Sequence, residues 1–78
     1  MEEIYVVKES WCVGCDSGFY KKEYNTLEQA QKDYHERAKT QMLKYVDSPI
    51  HIRQEIGKIE FEIGKNDYIR IVLEKESE

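Results

Sequence analysis

Cys12-Val13-Gly14-Cys15 is the one run in this 78-residue chain with a recognisable chemical spacing. Two thiols three residues apart can exchange with a disulfide, or can supply half of a tetrahedral zinc site. The histidines that would complete such a site exist as His35 and His51. A helix end and Pro49 separate them, where common zinc fingers use about one helical turn. No nucleophile has a motif around it. Ser10, Ser17, Ser48 and Ser77 lie outside any nucleophile elbow, four scattered glycines make no phosphate-binding loop, and Lys39 stands where His35-Glu36 would need a second histidine to act as a zincin. A chain this short also has little room for a catalytic pocket beside its core. The expectation is a non-enzyme with no metal or cofactor, a buried Cys12 in a strand, a reduced Cys15 at a turn, and two surface histidines.

Trp11 and the apolar strand before it make the run resemble the Trp-Cys-x-x-Cys of the thioredoxin family. That resemblance implies redox chemistry at Cys12, on a helix whose N-terminus stabilises the thiolate. It covers five residues. Gly14 replaces the usual proline, Asp16-Ser17-Gly18 reads as a turn, and the strand order around Pro49 does not suit the family's cis-proline.

The elements that must position these groups follow from periodicity. Ile4 to Ser10 is rich in Val, Ile and Tyr and reads as a strand. Gly14 to Gly18 is a turn by composition, and Phe19 to Tyr24 returns as a second strand. Thr26-Leu27-Glu28-Gln29 fits a capping box. Beyond it Leu27, Ala30, Tyr34, Ala38, Met42 and Tyr45 recur at helical spacing, which predicts an amphipathic helix of about five turns stopped by Asp47-Ser48-Pro49. Ser48 as cap, Pro49 at the first position and Gly57 beyond the end would frame a short helix or turn, although Ile50-His51-Ile52-Arg53 alternates like a strand. Ile59, Phe61 and Ile63 form one face of a third strand; Ile69, Ile71 and Leu73 form one face of a fourth. Matching these faces sets Ile63 against Ile69, Glu62 against Arg70 and Lys58 against Glu74, around a Lys65-Asn66-Asp67 turn. Four strands with one apolar face each need cover, and one long helix is available. The expected fold is α+β: a single domain over residues 1–78, built as a two-layer ββαββ sandwich with a four-stranded antiparallel sheet packed on one helix.

Charge and aromatic placement carry the functional expectation. Both ends are acidic, with Glu2, Glu3 and Glu9 against Lys8, and Glu74, Glu76 and Glu78 against Lys75; residues 10–73 are neutral. If the first and last strands lie side by side, these ends merge into one acidic patch. That disfavours phosphate-backbone binding and suits a basic protein surface. Tyr5, Trp11, Phe19, Tyr20 and Tyr24 crowd the first hairpin, more rings than one small sheet face buries, and Tyr and Trp favour interface hot spots. The candidate partner-binding residues are therefore Tyr5, Trp11, Tyr20, Glu2, Glu3, Glu74 and Glu76. Two cysteines, no apolar run near the roughly 20 residues of a membrane span, and no secretory pattern after Met1 point to the cytoplasm.

In size and acidity the chain resembles the small accessory proteins of phages and mobile elements, anti-CRISPR and other anti-defence inhibitors among them. The resemblance is one of general build and implies an inhibitor of a nucleic-acid-binding or defence protein. A homo-oligomer that self-associates through the same aromatic surface, by pairing along an exposed edge strand, and a zinc or thiol protein using Cys12 and Cys15, are the alternatives.

Overall fold

The computed structural model describes residues 3–47, 50–64 and 66–77. Their elements run β1 (Glu3–Val13), β2 (Asp16–Tyr24), α1 (Leu27–Lys44), β3 (His51–Glu55), β4 (Lys58–Glu62) and β5 (Tyr68–Ser77). The fold is α+β: one antiparallel sheet of five strands in the order β2-β1-β5-β4-β3, with a single helix on one face.

The expected four strands become five because His51–Glu55 is extended and pairs with β4. The Ile-His-Ile-Arg alternation prevails over the helix-framing residues once β4 offers an open edge. Of that frame, Gly57 takes a positive φ of 74° and sits in the Ile56-Gly57 turn between β3 and β4; Ser48 and Pro49 lie outside the described residues. The β1–β2 loop is also tighter than composition implies. Gly14 carries the positive φ of 61°, Cys15 does not, and the second strand begins at Asp16. Positive φ at the first loop position alone is what a type II′ hairpin turn requires.

The last hairpin pairs Phe61 with Ile69 and Glu60 with Arg70, two residues away from the expected Ile63–Ile69 register. A shift of two keeps every side chain on its face, so the apolar faces still match. The ion partners change. Glu60 receives Arg70 at 2.8 Å and Lys58 at 3.0 Å, and the Lys58 contact chiefly holds its carboxyl below the usual range. The longer turn is held at both sides: the Ile63 amide donates to the Asp67 carbonyl at 3.1 Å, and the Gly14 amide donates to Asp67 Oδ1 at 3.1 Å.

Helix α1 starts as its sequence dictates, with Thr26 Oγ1 accepting the Gln29 amide at 3.2 Å. Its buried stripe is Ala30, Tyr34 and Ala38, and the small alanines let it lie close over β1, β2 and β5. Met42 was expected to extend the stripe but is exposed, and Gln41 takes the inward position. At 100° per residue Gln41 lies about 20° from Tyr34 around the axis and Met42 about 80°. Below the helix, Val7, Ile59, Phe61, Ile69 and Ile71 complete the core. Val6, fully buried on the opposite face, is shielded by its strand neighbours rather than by a second layer.

Trp11 reaches across the sheet over Gly18, its partner on β2; a Cβ at residue 18 would overlap the indole ring. Gly18→Ala should therefore expel the ring and cost about 1–3 kcal/mol. A lower urea midpoint together with a red-shifted Trp11 emission checks this, and an unchanged emission maximum would contradict it.

Candidate functional site

Between the first hairpin and α1 runs a polar seam centred on Asp33. One Asp33 carboxylate oxygen accepts the Tyr20 hydroxyl at 2.9 Å and the Tyr24 hydroxyl at 2.8 Å; the other accepts Arg37 Nε at 3.1 Å. Strand alternation puts Tyr20 and Tyr24 on the helix face, and the i,i+4 spacing puts Asp33 and Arg37 together above them. The Arg37 guanidinium stacks on the Tyr20 ring, 3.2 Å from its centroid, and extends Nη1 to Glu9 Oε1 at 3.5 Å. Burial, with the Asp33 bond second, pushes the Tyr24 hydroxyl well above its ordinary pKa. The Arg37 guanidinium is held above its usual range, burial opposing and the Tyr20 oxygen and Asp33 charge outweighing it.

Glu9 is the buried charged residue of this seam, its side chain 8% exposed. It lines two hollows. One, of about 290 Å³, is bounded by Asp33, Glu36, Arg37 and Thr40; the other, of about 260 Å³, by Trp11, Asp16, Lys44 and Tyr45. Gln41 lines both, and its buried Oε1 has no hydrogen-bond donor among the described residues.

The residues singled out in the sequence fall on two faces. Tyr5, Trp11 and Tyr20 are half-buried on the helix face and pack against the core. Glu3 shares that face, bonded to the Tyr5 hydroxyl at 2.9 Å and to Lys75 at 2.8 Å, and the lysine contact holds its carboxyl below the usual range. Glu74 and Glu76 point from the opposite face, where Glu74 pairs with Lys8 at 2.8 Å. The first and last strands do lie side by side, but the ladder interleaves lysines with these acids and divides them between the two faces; Glu2 lies outside the described residues. Glu9, Asp33, Arg37 and Gln41 carry the seam and were missed as site residues. The signal available was a glutamate at an inward strand position and an Asp-x-x-x-Arg pair beside the helical stripe.

The cysteines and histidines are dispersed. Cys12 is within β1 but only half-buried rather than buried, because it points to the open face; Cys15 is exposed in the turn, and no helix begins at the motif as a thioredoxin arrangement requires. His51 is on edge strand β3, three strands and about 14 Å from Cys12. His35 sits on the helix. No group of three potential metal ligands gathers among the described residues, and no described helix is long and apolar enough to cross a membrane.

With this geometry in hand, comparison with known proteins adds no identity: no protein family matches the chain, and neither a curated protein nor a solved structure matches it. What the coordinates define is a two-layer α+β protein with a carboxylate-rich aromatic seam at its helix–hairpin junction.

Because the raised pKa of Tyr24 stabilises its neutral form in the folded chain, that stability is fully present below pH about 10 and is lost as pH rises through the folded value. Urea midpoints should fall steeply above pH about 10 in the native sequence. In Tyr24→Phe the fall should be shallower, with about 1 kcal/mol lost at pH 7. Equal slopes in the two proteins would show that Tyr24 is not the titrating group.

Proposed function

We propose that this chain is a non-enzymatic protein-binding module whose partner presents a basic surface. The observation that carries the reading is the seam itself, where Trp11 and Tyr45 border a hollow lined by Glu9 and Asp16, and Tyr20 bonds Asp33 beside a second hollow lined by Glu9 and Glu36. Half-buried Trp and Tyr are favoured at interface hot spots, where the rings supply rigid apolar area, and the acids beside them select a cationic partner. The acidic balance of the whole chain supports the same partner. An inhibitor of a nucleic-acid-binding or defence protein is the form of module that this size and charge suit, acting in the cytoplasm.

The test is recovery of a stoichiometric partner from nuclease-treated host extract, with two charge variants in parallel. Asp16 and Glu36 are exposed, so Asp16→Lys with Glu36→Lys leaves the core intact. Loss of the partner with this pair, and retention with Glu74→Gln plus Glu76→Gln, is the expected outcome. The reverse pattern would move recognition to the strand ends, and no partner in any extract would remove the reading.

A second reading, self-association through β3, has its own observation. Every residue of this edge strand is exposed, with Ile52 at 41% and the adjoining Ile56 fully so. Antiparallel pairing with a second copy centred on Gln54 sets Arg53 against Glu55 and Ile52 against Ile56 of that copy, charge to charge and apolar to apolar. Sedimentation should then give a dimer that Arg53→Glu dissociates. A monomer at all concentrations discards it.

A further inference from the structure

Glu9 already holds one guanidinium. On one side of its carboxylate Arg37 lies flat on Tyr20 and directs Nη1 at Glu9 Oε1. The hollow of about 260 Å³ repeats the ingredients of that arrangement without a cation bound to Glu9. It has the Glu9 carboxylate, two rings in Trp11 and Tyr45, the Gln41 side chain, and the exposed Asp16 carboxylate. We infer that this hollow is the socket for an arginine side chain of a protein partner.

Three features favour that occupant. The Glu9 and Asp16 carboxylates line the same hollow, and a guanidinium carries five donors in a planar fork that matches carboxylate oxygens. Aromatic faces attract cations, more often arginine, and the Trp11 ring is held broad-side across the sheet because residue 18 has no side chain to lift it. Finally, Gln41, Lys44 and Tyr45 belong to the last turn and cap of α1, where the helix dipole is negative and adds to the two carboxylates. Lys44 is the cation nearest at hand; its Nζ lies 5.5 Å from the Tyr45 ring centroid and has no carboxylate within ion-pair distance among the described residues. As a lining cation it repels an incoming guanidinium, so its removal should strengthen binding.

The inference rests on the protein-binding reading, and the test separates the two. The intact ¹⁵N-labelled chain is titrated with N-acetylarginine methylamide, with the neutral isostere N-acetylcitrulline methylamide, and with N-acetyllysine methylamide. The Trp11 indole N–H and the Gln41 side-chain amide should shift saturably with the arginine probe and not with citrulline. Affinity should drop about tenfold in Glu9→Gln and severalfold in Asp16→Asn, and rise in Lys44→Met. Amide dispersion checks that Glu9→Gln remains folded, and Asp16→Asn, at an exposed strand start, provides the comparison if it does not. No saturable shift, an equal response to citrulline, or an equal response to lysine would each overturn the arginine assignment. A partner still captured in the extract experiment while the arginine probe is silent would remove the socket and leave the binding module standing. A saturable arginine response with no partner captured would remove the partner protein as the source of the side chain.

Discussion

The pairing of β1 with β5 is the constraint on which the rest of the molecule depends. It runs without interruption from Glu3 opposite Ser77 to Cys12 opposite Tyr68, joining the two ends of the chain. Each unit on either side, the β1–β2 hairpin and the β3–β4–β5 meander, is a short sheet with one apolar face, a structure marginal in water by itself. Zipped together they give a sheet wide enough to bury Val7, Ile69 and Ile71 under the helix. The residues that permit this are consecutive: Val6 and Val7 are both fully buried, one on each face, as an interior strand demands. Such a long-range ladder forms only after the intervening chain has been ordered, so it ties folding of the whole chain to one event.

The helix is held on this sheet by two kinds of contact with different consequences. Ala30, Tyr34 and Ala38 supply apolar burial, which fixes how near the helix lies but discriminates weakly along its length. Asp33 supplies direction, because two tyrosine hydroxyls and one guanidinium converge on it only when the helix is seated at one position over β1 and β2. The same seating carries Arg37 to Glu9 and leaves that carboxylate, with Gln41, between a filled guanidinium site and an open hollow. The charge that orients the helix is also what gives its margin a chemical preference.

Much of the fold is legible in the residues. The capping threonine, the Ala-Tyr-Ala spacing and the first hairpin, turned at Gly14, each act through neighbours within a few positions, and they appear where local rules put them. The fifth strand was not legible in the same way. Residues 51–55 carry helix-framing and strand-like signals together, and the free edge of β4 decides between them. The register of the last hairpin escaped for a related reason. A shift of two residues leaves every apolar face matched, and the bond from Gly14 to Asp67 comes from a different hairpin. Of the aromatics that crowding singled out, Trp11 and Tyr20 lie along the seam and Tyr5 bonds Glu3 away from it. The merging of the terminal acids into one patch was not legible, since strand pairing sets Lys75 and Lys8 beside Glu3 and Glu74.

By itself, then, the sequence determined the class of architecture, the one helix and its cap, and which residues of the last two strands turn to the core, because those properties depend on periodicity and on chemistry between near neighbours; the inward face of β1 it left open. Only the tertiary structure decided the sheet order, the fifth strand, and the meeting of Glu9, Asp33, Arg37 and Gln41. These groups come from a strand and a helix separated by a hairpin return. No local spacing records how far one element slides along the other; the convergence of hydrogen bonds on a single carboxylate does.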